Sequence, residues 1–229
     1  IDTAGVRGGV WLPQDGQINP TDLTQALSKG ARRLGAMVRE RTPVRDIRRA
    51  HGRVTGVETD AGPIEAEYVV NCAGMWGRQL GRLAGVDVPL HAAEHFYVVT
   101  ENLAEAPGAL PVLRDPDHAI YIKEDAGKLL VGMFEPTAKP WGMDGIPKDF
   151  SFEQLPDDWD HVMPQLEAAA ARVPAFMDAG VQTFFNGPES FTPDDRFLLG
   201  ETPELDGLFV ACGFNSIGVQ SAGGVGKAL

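Results

Sequence analysis

The sequence predicts a mixed α/β protein, a layer built on parallel strands interrupted by an antiparallel sheet. Three features predict it. Two apolar runs each stop at a glycine: Tyr68 to Ala73 before Gly74, and "DGLFVACG" ending at Gly213. Such near-continuous runs suit parallel strands buried on both faces, which deliver their carboxyl ends to a ligand crevice. Between them, "HFYVVTE" and "AIYIKEDAGKLLVGMFE" alternate apolar with polar residues, the period of antiparallel strands with one covered face. The stretch "INPTDLTQALSKGARRLGA" carries a helical pattern instead. The expected division is one domain over 1–89 and 191–229, and an inserted antiparallel domain over 90–190 with one or two helices on its outer face.

In chain order, Gly9 to Leu12 reads as a short strand, followed by a turn at Pro13 to Gly16. The first helix runs from about Pro20 to Leu34. Asn19 caps it, Pro20 takes the first helical position, and Asp22 favours the positive end of the dipole. Leu23, Ala26, Leu27, Ala31 and Leu34 form one apolar face. Three strands follow, with turns at His51 and Gly52 and at Asp60 to Gly62, then a return strand Tyr68 to Cys72 and a helix in "MWGRQLGRLAG". In the alternating region a hairpin turn falls at Glu124 to Gly127. A later helix holds at least Pro164 to Val173, with Pro164 at its start or at a kink, and "GVQTFFNGPES" returns to strand.

The 43% hydrophobic content over 229 residues is ordinary for a packed core. Acidic residues outnumber basic ones, 32 to 20, for a net charge of −12, which argues against nucleic acid or an anionic membrane surface as the main partner. No apolar run approaches the roughly 20 residues that span a bilayer, and no signal peptide opens the chain, so the expected placement is cytoplasmic. Cys72 and Cys212 lie near glycines at the ends of apolar runs, where small buried residues are expected rather than a disulfide or a metal site. The opening "IDTAGVRGG" has no initiator Met and reads as mid-domain, so a fragment is expected.

The chain ends in "ACGFNSIGVQSAGGVGKAL", with glycines at 213, 218, 223, 224 and 226. Glycine lets a backbone approach a ligand closely, and the unpaired N–H groups of a helix's first turn favour negative charge. A phosphate or a reduced flavin ring would suit such a loop. Tight helix packing accounts for the glycines equally well.

The order of elements resembles a known family. "TPVRDIRR" and "GRVTGVETDAGPIEAEYVVNCAGMWGRQLGRLAGVDVPL" resemble the second half of the flavin domain in the glycine oxidase and sarcosine oxidase superfamily. "PLHAAEHFYVVTE", "YIKEDAGKLLVGMFEPTAKPW", "FFNGPESFTPD" and the closing "CGFNSIGVQSAGGVGKAL" resemble the dimethylglycine and sarcosine dehydrogenase branch over essentially the whole chain. The resemblance implies a partial FAD-binding domain of the glutathione-reductase-like type interrupted by a substrate domain. It implies that Val44, Ala73, Gly74 and Trp76 neighbour FAD, and that Gly213, Asn215, Ser216, Ile217 and Gly218 face the flavin, the backbone N–H groups of Asn215 to Gly218 stabilising charge on the reduced ring.

Two departures accompany it. The GxGxxG loop that holds the FAD pyrophosphate in this family is not found, and neither is the folate-binding region that follows the flavin part, so the chain alone is expected to hold FAD only weakly. "NGPESFTPD" lacks the cysteine by which monomeric sarcosine oxidases attach flavin, which favours the dehydrogenase branch. On the "AEHFY" and "AIYIKE" strands, His95 and Tyr121 match the family's substrate-facing histidine and tyrosine. A neutral imidazole can accept a proton from a substrate ammonium, and a phenol can hold the amine or the carboxylate. Trp76 and Trp141 could wall a pocket for methyl groups; His91, His118 and His161 have no motif support.

The implied function is FAD-dependent oxidation of dimethylglycine or sarcosine at an N-methyl carbon, with water or folate taking the one-carbon unit. The alternatives are an amine oxidase that passes electrons to oxygen, and a non-catalytic subunit or binding module of the same fold.

Overall fold

The computed structural model describes residues 1–103 and 110–229, which form two compact units. An antiparallel unit comprises Ile1–Ile18, Glu94–Lys139 and Ser151–Pro188; a parallel unit comprises Asn19–Ala93, Pro140–Phe150 and Glu189–Leu229. Beside the expected division, 1–18 falls with the antiparallel unit and 140–150 with the parallel one, while 104–109 of the expected insert lie outside the described residues.

The parallel unit opens on α1 (Pro20–Arg33), where the Asn19 side chain accepts from the N–H groups of Thr21 and Asp22. The expected apolar face of α1 is not buried among the described residues, and Leu27 is 58% exposed. β1 (Val44–Ala50), β2 (Arg53–Thr59) and β3 (Gly62–Glu65) form an antiparallel meander. Its first turn, His51 and Gly52, has φ values of 53° and 78°, the mirror-image geometry whose twist matches a two-residue hairpin. β4 (Val69–Asn71) leads through a 3₁₀ turn at Gly74–Trp76 into α2 (Gly77–Leu83).

β5 (His91–Thr100) enters the antiparallel sheet. β6 (Leu113–Asp115), β7 (Ile120–Asp125) and β8 (Lys128–Met133) follow, then β9 (Pro140–Trp141), α3 (Trp159–Arg172) and β10 (Val181–Phe191). The sheet order is β10-β5-β8-β7-β6, with β9 paired to the start of β5. The alternation read in the sequence is a real division of faces: Phe96, Val98, Ile120, Ile122, Leu129, Val131 and Met133 pack with Val162, Leu166 and Ala169 of α3. α3 begins five residues before Pro164, where the Asp158 side chain caps it through the His161 N–H; of the two places expected for Pro164, the start or the interior of the helix, it takes the interior.

β11 (Leu198–Glu201) and β12 (Leu208–Cys212) return to the parallel unit, and α4 (Gly218–Ala228) closes the chain. β12 pairs in parallel with β4, Leu208↔Val69 to Val210↔Asn71, and antiparallel with β11. Three expectations fail here and at the amino terminus. β4 is not covered on both faces, since Tyr68 and Val70 are 58% and 42% exposed, and among the described strands only β12 pairs with it. Cys212 is buried, but Cys72 is exposed. Gly9 to Leu12 forms no strand, and Val10, Trp11 and Leu12 stand exposed.

Phe96 is fully buried, with its ring 6.0 Å from Phe184 and 5.4 Å from His161. Phe96→Ala in the intact protein should lower unfolding stability by about 3–5 kcal/mol, measured as a shift in urea midpoint at unchanged slope.

Candidate functional site

The face of the antiparallel sheet opposite α3 carries one row of side chains that the pairing register aligns. Arg114 on β6 lies opposite Tyr121 on β7, Tyr121 opposite Gly132 on β8, and Gly132 opposite Tyr97 on β5. Directly opposed residues share a face. Gly132 is the position that makes the row possible: a Cβ there would fall 2.0 Å from Cζ of Tyr121, so the phenol ring lies across the bare strand. At the other end Phe185 stacks on Tyr97, centroids 4.5 Å apart and planes 14° apart, and burial pushes the Tyr97 phenol up, keeping it neutral.

Phe134, the residue after β8, gathers the polar groups. Its ring centroid lies 5.7 Å from that of His95, 5.8 Å from that of Tyr121, and 4.8 Å from the guanidinium carbon of Arg114. His95 and Tyr121, nominated from the sequence, therefore meet around one aromatic ring, and the structure adds Arg114, Tyr97 and Phe134 to them. Arg114 is exposed and has no carboxylate partner among the described residues. Sequence periodicity could have put Arg114 on a strand, but "VLRDPD" gives no sign of its pairing with Tyr121.

Below His95 lies Glu135, its side chain 4% exposed and its Oε1 4.0 Å from Nδ1 of the imidazole. Burial pushes this carboxyl up to about 7, with the Glu94 charge adding to the rise. Nearby, Asn186 donates to Glu94, and Lys139 pairs with both Asp158 and Glu94.

The parallel unit holds the other nominated residues. Gly74 and Gly213 leave the same end of the β4 and β12 pair, three residues beyond the partners Asn71 and Val210. Asn71 is fully buried and fastens the turn: its Nδ2 donates to Gly77 O at 2.8 Å, its Oδ1 accepts from Ala73 N, and its backbone O accepts from the Cys212 thiol at 3.0 Å. Gly74 has φ +54° and open space where a Cβ would point; Trp76 is 40% exposed and Ala73 half-buried. Val44 sits half-buried at the head of β1.

The loop before α4 is held in an uncommon conformation. Gly213, Asn215 and Ser216 all have positive φ, 67°, 48° and 65°, which for the two non-glycine residues costs on the order of 1–3 kcal/mol each. Side chains offset that cost. Asn215 Oδ1 accepts from Thr192 N at 2.8 Å, and its Nδ2 donates to Gly213 O at 2.9 Å. Glu189, which the sequence reading passed over, accepts from Ser216 N at 2.8 Å and from Ser216 Oγ at 2.7 Å. Of the N–H groups expected to face a cofactor, that of Ser216 is thus bonded to Glu189, and that of Ile217 to Phe214 O at 2.9 Å; this corrects the expectation for these two. α4 begins at Gly218 as expected and has no side-chain cap.

A flavin ring suits this end of the parallel unit: a helix start with no side-chain cap, an open glycine turn and an exposed tryptophan offer backbone donors and an apolar plane. Trp141 packs on Phe150 at 4.7 Å, and His118 bonds Asp115 at 2.9 Å. Among the described residues no cluster could hold a metal ion, and no helix is long and apolar enough to cross a membrane.

Comparison with known proteins points the same way. A family model described as DAO, FAD dependent oxidoreductase, matches residues 1–229. The chain is 46% identical over 226 residues to 4-methylaminobutanoate oxidase (formaldehyde-forming) of Paenarthrobacter nicotinovorans, covering 99% of this chain and 27% of that protein. It is 41% identical over 227 residues to the mitochondrial sarcosine dehydrogenase of Homo sapiens, covering 97% of this chain and 24% of that protein. Among solved structures, glycine oxidase from Geobacillus kaustophilus superposes with a TM-score of 0.74 at 29% identity, over 94% of this chain and 54% of that one. The chain spans about a quarter of the length of these two sequence relatives.

Gly132→Ala should leave the fold in place, since the far end of the Tyr121 ring can move, at a stability cost of about 1–3 kcal/mol. The cost should vanish in the Tyr121→Ala background, and a double-mutant cycle by urea unfolding measures that coupling.

Proposed function

This chain belongs to the FAD dependent oxidoreductase family, and from that premise we propose that the intact protein oxidises an N-methylated amino acid at its methyl carbon. The observation that carries the reading is the convergence of His95, Tyr121 and Arg114 on the ring of Phe134. FAD, when bound, supplies the two-electron acceptor for a C–H bond next to nitrogen. We assign its holding to Val44, Ala73, Gly74, Trp76 and the loop Gly213, Asn215, Ser216, Ile217 and Gly218. In that loop Ser216 and Ile217 act through its shape, their N–H groups being bonded within the chain.

His95 takes the proton of the substrate ammonium, so that the nitrogen keeps a lone pair to support the cationic carbon as its C–H bond breaks. Tyr121 donates its hydroxyl to the amine or the carboxylate. Arg114 offers a planar pair of N–H groups to the carboxylate, and its stacking on Phe134 presets their direction. Tyr97 and Phe134 wall the methyl group from water. The iminium product hydrolyses to formaldehyde and the demethylated amine, in keeping with the "formaldehyde-forming" name of the relative at 46% identity; a folate, where present, would take the same carbon. The named substrates of the two sequence relatives, 4-methylaminobutanoate and sarcosine, together with dimethylglycine, define the class to test.

The deciding experiment adds each of the three to the intact protein without oxygen, following flavin bleaching and formaldehyde. Bleaching by proline or glycine and by none of the three would reject the reading. Oxygen uptake then separates an oxidase, as one relative is named, from a dehydrogenase, as the other is.

His95→Ala and Tyr121→Phe should lower turnover by a factor of about 100 to 10,000 with flavin content unchanged by absorbance. Arg114→Gln should raise KM for the amino acid about 10- to 100-fold, the loss of one charge-assisted pair, while leaving KM for a methylated amine without a carboxylate unchanged.

A further inference from the structure

The chemistry above leaves one buried charged group unused. Glu135 has a side chain only 4% exposed, and its Oε2 has no hydrogen-bond partner among the described residues. Such a carboxylate is costly unless an opposite charge meets it. Two titratable groups act on it directly. On β5 stand His95 and Glu94, and the Glu94 charge opposes ionisation of Glu135. Lys139, on the segment leading to β9, is engaged by Asp158 and by Glu94. At the head of α3, His161 packs its ring on Phe96. The ion-pair partner that the geometry gives Glu135 is His95, with Nδ1 4.0 Å from Oε1.

We propose that Glu135 is a positioning residue for His95, facing Nδ1 of the imidazole and pairing with it as an imidazolium once it has taken the substrate's proton. The inference rests on the function proposed above. In the step itself an N–H bond of the substrate ammonium breaks and an N–H bond forms on the imidazole; the electron pair stays on the substrate nitrogen, and no electron leaves. Glu135 carries its negative charge throughout, which its titration near 7 permits above neutral pH. The buried carboxylate thus finds its counter-charge only while the proton is in transit, so its cost in the resting protein is returned as stabilisation of the protonated base.

The test uses the intact protein with selectively labelled histidines, in wild-type, Glu135→Gln and Glu135→Asp forms. Two quantities are read: the acid limb of the kcat/KM profile for the best N-methylated substrate, and the NMR titration of the His95 ring without substrate, assigned by its loss in His95→Gln. Removing the negative charge makes the imidazolium less favourable, so both midpoints should move to lower pH. The expected shift is about one unit or more in Glu135→Gln and a smaller one in Glu135→Asp, whose charge retreats from Nδ1. Should Glu135→Gln not fold, Glu135→Asp alone decides. An unmoved His95 midpoint in a folded variant overturns the pairing. A midpoint that moves in a protein oxidising no N-methylated amino acid keeps the pairing and rejects the proposed function.

Discussion

The ring of Tyr121 lying across Gly132 is the contact on which the face of the antiparallel sheet away from α3 depends. Glycine inside a strand is ordinarily a weakness, since it packs nothing and costs backbone entropy. Here the bare backbone is the floor on which an aromatic ring rests, and the row from Arg114 to Tyr97 follows from it. Gly187 on β10 repeats the device: a Cβ there would strike the Phe185 ring at 2.5 Å, and Phe185 in turn stacks on Tyr97. Two absent side chains thus set the height of two rings. A polar face with flat aromatic walls results, backed by a core that α3 seals.

Much of this was legible in the sequence, for reasons that differ from element to element. The period-2 pattern of "HFYVVTE" and "AIYIKE" reports burial directly, so the strands and the inward set of Phe96, Val98, Ile120 and Ile122 could be read from it. Asn19 before Pro20 marked the start of α1 through local hydrogen bonding. His95 and Tyr121 came from resemblance, and their meeting around Phe134 is a matter of strand register, which no local signal encodes. Glu135 was hidden for the same reason, because its neighbour His95 is forty positions away, on β5. The start of α3 stayed open between Pro164 and a point upstream because Pro reads either as a first-turn residue or as a kink; the Asp158 cap, a turn and a half earlier, decides it.

The loop between β12 and α4 shows a different limit. Its glycines suggested freedom, but the conformation is carried as much by Asn215 and Ser216, both left-handed. Neither would hold that shape unaided. Thr192 and Glu189, more than twenty residues upstream, supply the bonds that do. A sequence shows the permissive residue and conceals the clamp, since the clamp is tertiary. The same bonds determine which N–H groups stay available at the start of α4, so a side chain on β10 shapes a surface suited to a flavin without itself belonging to it.

The two cysteines, alike in their sequence setting, have opposite fates. The Cys212 thiol is buried and donates to the backbone of Asn71, locked into the joint between β12 and β4. Cys72 is exposed, one residue before the Ala73 and Gly74 turn, and its thiol is pushed up by the protein packed around it, leaving it mostly protonated near neutrality. A maleimide would therefore find one of the two sulfurs, slowly and faster in alkali. Because that sulfur borders the strand end assigned to the flavin, its rate of alkylation becomes a built-in gauge of whether that end is covered.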